Sequence, residues 1–554
     1  MRWRQWHEPL SEQMLEQACV SVDLRGVRAE ELGEAVRQEC ERWQRSLELE
    51  RGPLVRVVWM LTGEGGEPES AETDGAEPEG VEAAENVKHG RLLVVIHHLV
   101  VDGVSWRILV EDLERAYEQA KRGAEVELGV KTTSYRRWGE ALREEAERGL
   151  SDEEVRYWEE VAEACGGGGL SDGAEDGREQ NTEGAARSVE VGLSAEQTRR
   201  LLQEVPAAYN TRINDVLLTA LARTLWWWRD RGGLGGLPCN AQSAQDASRP
   251  DDRESVQGDG VVVEMEGHGR EEVGEALDLS RTVGWFTTIF PVLLTVPAAE
   301  GVGQTLKRVK EQLRAIPRGG LGYGLLRHLG GEQASERLRL MGAAQVGFNY
   351  LGQLDGLVGG AGRWLEVSGE SAGSERDPNG ARAHEVEVSG MVVRGELRMR
   401  WDYNGASYGA EEMEGVVGKY VAELEELIEH CIGEGAGGFT PSDFPLADLN
   451  QQALDRIATK DALISDIYSL APLQHGLLFH SLYNPSSGEY IVQLTCTLHG
   501  DVDTEALEQA WGEVINRHAV LRTAFLWQNL KQPLQLVHRH VPLPWLSLDW
   551  RSHS

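Results

Sequence analysis

Strand-like and helix-like segments alternate along this chain of 554 residues, which predicts a protein of mixed α/β (α+β) class. Three stretches carry that expectation. Residues 92–117 join an unbroken apolar run to a helical repeat through a turn. Ile213, Leu217, Leu221 and Leu225 recur every four residues, as on one face of a helix. Residues 384–403 alternate as two strands of a hairpin about Arg394 and Gly395.

The first of these stretches organises the rest. Residues 92–96 are all apolar, which predicts a strand buried on both faces. His97 and His98 follow, then the turn pair Asp102-Gly103. Trp106, Leu109, Leu113 and Tyr117 then step at helical spacing, with Ser105 at the expected N-cap. Neighbouring strand residues point to opposite faces, so one of the two histidines is expected to face a cavity. The plainer alternative is a pair of packed, hydrogen-bonded core histidines.

The other elements follow in order. Residues 29–47 have helical spacing and 54–61 are strand-like. Residues 62–90 carry nine acids and one lysine among many glycines, and predict a mobile loop between two paired strands. Residues 155–161 are expected to end a helix, and 164–187 form a second Gly- and acid-rich insertion. Order restarts at 209–228. Residues 239–260 are polar, and 261–266 form a short strand. A turn leads to a strand within 281–296, a helix spans 305–316, and 344–351 is another buried strand. Residues 368–381 read as a loose loop and 411–432 as a long amphipathic helix. Residues 439–463 read as a linker. A new unit then offers helices at 473–482 and 503–518 and a strand at 490–498.

Composition narrows the function. Lys+Arg number 55 against Asp+Glu 91, a net charge of −36. A nucleic-acid or anionic-membrane partner needs a basic footprint, which this chain lacks. Six cysteines (19, 40, 165, 239, 431, 496) lie far apart without metal-ligand spacing, so reduced thiols, no metal and a cytoplasmic protein are expected. No apolar run reaches the length of a membrane span, and the first ten residues lack a signal-peptide core.

The residues HHLVVDG at 97–103 match the pattern HHxxxDG. They are followed by VSW at 104–106, EGHGRE at 266–271, RTVGWFT at 281–287, GLGYGLLR at 320–327 and GFNYLGQLD at 347–355. In that order they resemble the epimerization branch of the condensation-domain superfamily of non-ribosomal peptide synthetases. The first motif of such domains is not found, so the chain is expected to begin inside the domain. SLAPLQHGLLFHSLY at 469–483 and RHAVLRTAF at 517–525 resemble the first two motifs of a condensation domain. The resemblance implies an epimerization domain over 1–438, with lobes of about 1–163 and 188–438. The linker 439–463 and the N-terminal part of a condensation domain, 464–554, would follow. Each lobe would be a mixed sheet packed by helices, like chloramphenicol acetyltransferase, the two forming a V.

The resemblance also implies the chemistry. The substrate would be an aminoacyl or peptidyl thioester on the 4'-phosphopantetheine arm of an upstream peptidyl carrier domain, with no cofactor bound by the domain itself. Its downstream partner would be the remainder of the condensation domain. Inverting the α-carbon requires a proton to leave one face and another to return from the other. General acid–base groups supply about 10²–10⁴-fold, best with a pKa near working pH. Histidine offers this unperturbed, and a carboxylate does so once burial raises it. His98 and Glu266 are the two bases implied. Tyr350, Asn349 or a backbone N–H near Ser105 would supply donors to the enolate oxygen. His97 and Trp285 would support the site. Asp102 is expected to orient the turn, with Arg270 as a pairing partner.

Each assignment has a plain alternative. Glu266 could be a solvated charge at a strand end, and Asn349 and Tyr350 satisfied core polars. Trp285 could be wall packing. Two other functions compete: an amide-forming condensation domain, which would use the same HHxxxDG but against which EGHGRE and FNYLG count, and a non-catalytic module that docks carrier proteins.

Overall fold

A computed structural model describes residues 5, 11–63, 90–164, 181–234, 260–274, 277–297, 300–331, 335–336, 338, 344–353, 365, 368–374, 376–458, 463–484 and 490–550. Most of 62–90, 164–187 and 239–260, and the end of the 347–355 motif, lie outside them. Contacts divide the chain into two compact units. The first comprises Met1–Ala195, Trp226–Leu294 and Ile316–Lys419. The second comprises Glu196–Leu225, Thr295–Ala315 and Tyr420–Ser554. The first unit contains two sheets.

The smaller sheet of the first unit has the order β1-β2-β3, with β1 at Cys19–Leu24, β2 at Val55–Thr62 and β3 at Gly90–Ile96. β1 runs parallel to β2, which requires a crossover, and helix Ala29–Gln44 supplies it. Val36 and Cys40 of that helix pack on Leu24, Val58 and Met60. β3 pairs antiparallel with β2 at the edge of the three described strands. It is half-buried throughout, not buried on both faces as its apolar run suggested. Residues 368–374 are also more tightly held than a loose loop. Arg91 of β3 grips Glu370 (Nη2–Oε1 2.6 Å), and Gln44 Nε2 donates to the Ala372 carbonyl at 3.0 Å.

The larger sheet is mixed, with the order β4-β9-β8-β7-β5-β6. Its strands are β4 (Ala186–Gly192), β5 (Gly260–Gly267), β6 (Thr288–Thr295), β7 (Val346–Gln353), β8 (Val386–Val393) and β9 (Glu396–Asn404). β8 and β9 form the expected hairpin, with Arg394 and Gly395 both at positive φ (53° and 73°), as a two-residue type I′ turn requires. Alternation sorts the faces. Val386, Val388, Leu397, Met399 and Trp401 are buried on one side. The register aligns Glu264 with Gly347, Gly347 with Glu387 and Asn349 with Ser389 on the other, so polar side chains share that face.

Order resumes earlier than expected, with β4 and helices Ala195–Gln203 and Val205–Tyr209 preceding helix Ile213–Asp230. Residues 155–161 lie in the middle of helix Asp152–Ala164, not at its end. Helix Ala410–Ile432 is present as expected.

Within the second unit, buried Asp215 accepts two bonds from Arg314 (2.9 and 2.7 Å). The stretch expected as a linker is folded where it is described. Phe444, Ala447, Leu454 and Ala458 join Ile464, Ile467, Leu534 and Leu536 in one core. Lys310, 1% exposed, holds Asp443 at 2.7 Å. A small antiparallel sheet follows in the order β10-β12-β11, from β10 (Ile464–Ser469), β11 (Thr523–Leu526) and β12 (Leu534–His538). Helices Pro472–Tyr483 and Thr504–Arg517 match their expected places. Residues 490–498 do not form the expected strand. Ile491, Val492 and Leu494 are exposed, and no strand pairs with them among the described residues.

Candidate active site

The turn after β3 positions the histidines. The strand ends at Ile96, and His98–Val100 forms a short 3₁₀ turn. His97 therefore leads a turn instead of alternating with His98 along a strand. Its N–H donates to the Leu54 carbonyl (2.9 Å) and its Nδ1 accepts from the Leu99 N–H (3.1 Å). His98 is exposed, with its ring 5.6 Å from Trp285 in an edge-on arrangement.

Asp102 fixes the other end of the turn. It, not Ser105, is the N-cap of helix Gly103–Lys121, its Oδ1 accepting from the Ser105 N–H at 2.7 Å. Asp102 is 4% exposed. A carboxylate so buried needs a cation and further donors. Arg270 Nη2 lies 3.2 Å from Oδ1, and the Phe286 N–H donates to Oδ2 at 3.1 Å. Arg270 also donates to the Leu279 and Thr282 carbonyls (2.9 and 2.7 Å) and lies over the Phe286 ring.

Ser105 has a different task from the one expected. Fully buried, its hydroxyl donates to the Gly284 carbonyl (2.9 Å) and accepts from the Gly284 N–H (3.1 Å). A Cβ at Gly284 would lie 2.3 Å from the Tyr135 ring, so only glycine fits. Tyr135 in turn donates to the Trp285 carbonyl at 2.7 Å. Residues 102–105, 270 and 284–286 are thus one locked assembly, which places Trp285 beside His98.

The sheet supplies the other wall. Glu266 stands near the end of β5, and Asn349, on neighbouring β7, donates through Nδ2 to Glu266 Oε2 at 2.7 Å. Glu266 opens towards solvent, yet the surrounding protein displaces enough water to raise its pKa. His98 and His384 oppose that rise, and Glu387 and Glu264 add to it.

His97, His98, Leu99, Glu266, Trp285, Thr287 and Ile289 line one cavity of about 240 Å³. A larger hollow beside Glu513, Val514, Asn516 and Arg517, about 570 Å³, gathers no comparable set of proton carriers. Tyr350 is not among the cavity-lining residues. It follows Asn349 on β7 and so points to the opposite face, where it packs at Gly390, and burial raises its pKa. Sequence reasoning missed Leu99, Thr287 and Ile289. It also missed Glu264, although a spacing of two from Glu266 on one strand signals a shared face. Among the described residues, no three His, Cys, Asp or Glu side chains are grouped to hold a metal ion, and no helix is long and apolar enough to cross a membrane. The four described cysteines are free.

The family model described as the condensation domain matches residues 83–231, 254–449 and 464–554. The chain belongs to the condensation-domain family of non-ribosomal peptide synthetases. Its fold is the family's: mixed sheets packed by helices, like chloramphenicol acetyltransferase. One of the linear gramicidin synthase proteins of Brevibacillus parabrevis is 39% identical over 533 residues, 96% of this chain and 6% of that protein. Another protein of the same synthase is 40% identical over 553 residues, 99% of this chain and 10% of that protein. A mycosubtilin synthase protein of Bacillus subtilis is 33% identical over 513 residues, 92% of this chain and 17% of that protein. This chain thus spans a small part of each relative. Among solved structures, the epimerization domain from the third module of tyrocidine synthetase B is 30% identical, with a TM-score of 0.58. The match covers 75% of this chain and 80% of that one.

Proposed function

We propose that this chain inverts the α-carbon of an aminoacyl or peptidyl thioester presented on the 4'-phosphopantetheine arm of a carrier domain. The observation that carries the proposal is the meeting of His98 and Glu266 in one cavity, the first from the turn after β3 and the second from β5. A thioester acidifies its α-hydrogen, and one base removes it to leave an enolate. The other group, protonated beforehand, returns a proton to the opposite face. The reverse direction exchanges their roles, so no net proton is gained or lost. Desolvation moves Glu266 towards the range in which a carboxylate serves as both acid and base.

The amide of Asn349 is committed to Glu266 and acts as its support. Thr287 also lines the cavity, and its hydroxyl is the donor we assign to the enolate oxygen. Residues 464–554, matched separately by the family model, are the opening of a following condensation domain in this reading. A condensation reading would use His98 to assist an attacking amine, and would leave Glu266 and its Asn349 contact without a task.

The test is to load a carrier domain with an L-aminoacyl group, add this chain in deuterated water and supply no acceptor amine. Deuterium at the α-carbon together with D product is expected. Amide formation on adding an acceptor, with no deuterium incorporated, would replace epimerization by condensation.

A further inference from the structure

Behind Glu266 lies a second proton-holding pair that the two-base reaction does not use. Glu264 and Glu266 sit two residues apart on one face of β5, about 7 Å from each other along the strand. His384, just before β8, lies over Gly347 of β7. A Cβ there would fall 2.6 Å from the imidazole Cδ2, so glycine leaves the space that the ring occupies. His384 Nδ1 is 2.9 Å from the Ala344 carbonyl, and Nε2 is 3.2 Å from Glu264 Oε1.

These acceptors decide the protonation. A carbonyl only accepts, so Nδ1 carries a hydrogen. A carboxylate also only accepts, so a bare Nε2 facing it would be repelled, whereas an Nε2–H is attracted. The pair therefore keeps a proton, as imidazolium and carboxylate. Burial pulls the His384 pKa down, but the Glu264 bond, the Ala344 carbonyl and nearby Glu387 together carry it above the ordinary histidine value. The neighbours are balanced in the same way. Glu387 has Arg376 and Arg382 each at 3.8 Å. Glu266 faces the neutral amide of Asn349, with His98 across the cavity.

We propose that His384 is a positioning residue for Glu266: by neutralising Glu264 it keeps the proton affinity of Glu266 low enough for that carboxyl both to take and to release a proton. This rests on the reading of Glu266 as a proton carrier. Without the His384 proton, a bare Glu264 carboxylate would stand beside Glu266 and raise its proton affinity.

The test titrates His384 by ¹⁵N NMR and the Glu266 carboxyl by ¹³C NMR in the full chain, and follows α-hydrogen exchange against pH. In the parent, His384 is expected to be an imidazolium at pH 7. His384→Gln should raise the Glu266 midpoint, and the acid limb of the exchange profile with it, by roughly half to one pH unit. Glu264→Gln should release the His384 proton and leave Glu266 near its parent midpoint. The double variant His384→Gln/Glu264→Gln should return Glu266 to the parent value, which loss of packing alone would not do. A neutral His384 at pH 7 overturns the proposal, as does an unmoved Glu266 midpoint in His384→Gln or a double variant without rescue. If His384→Gln does not fold, a His384 that stays protonated in Glu264→Gln overturns it instead. If the parent exchanges no α-hydrogen at any pH, the proposed function fails, and the two NMR midpoints still judge the pair.

Discussion

The two walls of the cavity are built in opposite ways. The wall bearing His98 is locked by a buried ion pair, a helix cap and backbone bonds around Asp102, Arg270 and Ser105. The wall bearing Glu266 is an open sheet face, where strand register sets the side chains and one neutral amide touches the carboxylate. The difference separates two jobs. Asp102 has spent its carboxylate on structure and has none left for proton transfer, whereas Glu266 keeps a desolvated carboxyl free to titrate.

The sharpest way to break this comparison is at the ion pair. Asp102→Ala strands the Arg270 cation, which is 10% exposed, and removes the helix cap. A loss of about 3–5 kcal/mol is expected, visible as a large fall in denaturant midpoint. A nearly unchanged midpoint would mean that the first wall is not locked as described. Next in size is catalysis by the turn. His98→Ala should lower inversion by about 10²–10⁴-fold with the fold intact. His97→Ala removes one hydrogen bond, worth about 0.5–1.5 kcal/mol, and should cost under about tenfold. Equal losses for the two would withdraw the distinction between them.

Glu266 should show the reverse of Asp102 in stability. Its folded pKa is raised by burial, so its contribution is complete below the unfolded value and is lost as pH rises through the folded value. Glu266→Gln escapes that loss. Its melting temperature should equal the parent's below about pH 4 and exceed it at neutral pH. A variant less stable than the parent at pH 7 would show that Glu266 is there for structure. The smallest effect is expected outside the site. Shortening residues 64–89 to a few Gly and Ser changes loop-closure free energy by only about 0.6 kcal/mol per halving, so melting should barely move. A marked drop would make that stretch part of the fold.

The same contrast explains what the sequence revealed. Local signals were enough for β5 and β7 and for the hairpin at Arg394 and Gly395, but they carried the strand on through His97 and His98, where the chain already turns. Asp102 and Ser105 are both N-cap residue types three positions apart, and only the bond between them shows which one caps. Residues 439–463 look like a linker because of their prolines. Yet Phe444, Ala447 and Leu454 find a core with Leu534 and Leu536, some eighty residues away. Residues 490–498 have strand composition, but a strand also needs a partner. Tyr350 was grouped with Asn349 by motif, and the alternation of β7 separates them. His384 reaches Glu264 across 120 positions, and nothing local announces that contact.

The central claim is that His98 and Glu266 serve different faces of one α-carbon. Its most direct test is the ratio of deuterium wash-in to inversion in Glu266→Gln, measured separately from L- and D-aminoacyl carrier substrates. Exchange should persist from the enantiomer whose α-hydrogen faces His98, while inversion falls by about 10²-fold or more, because no acid remains to return a proton from the other side. Wash-in and inversion falling together, in equal proportion from both enantiomers, would contradict a separate second base at Glu266.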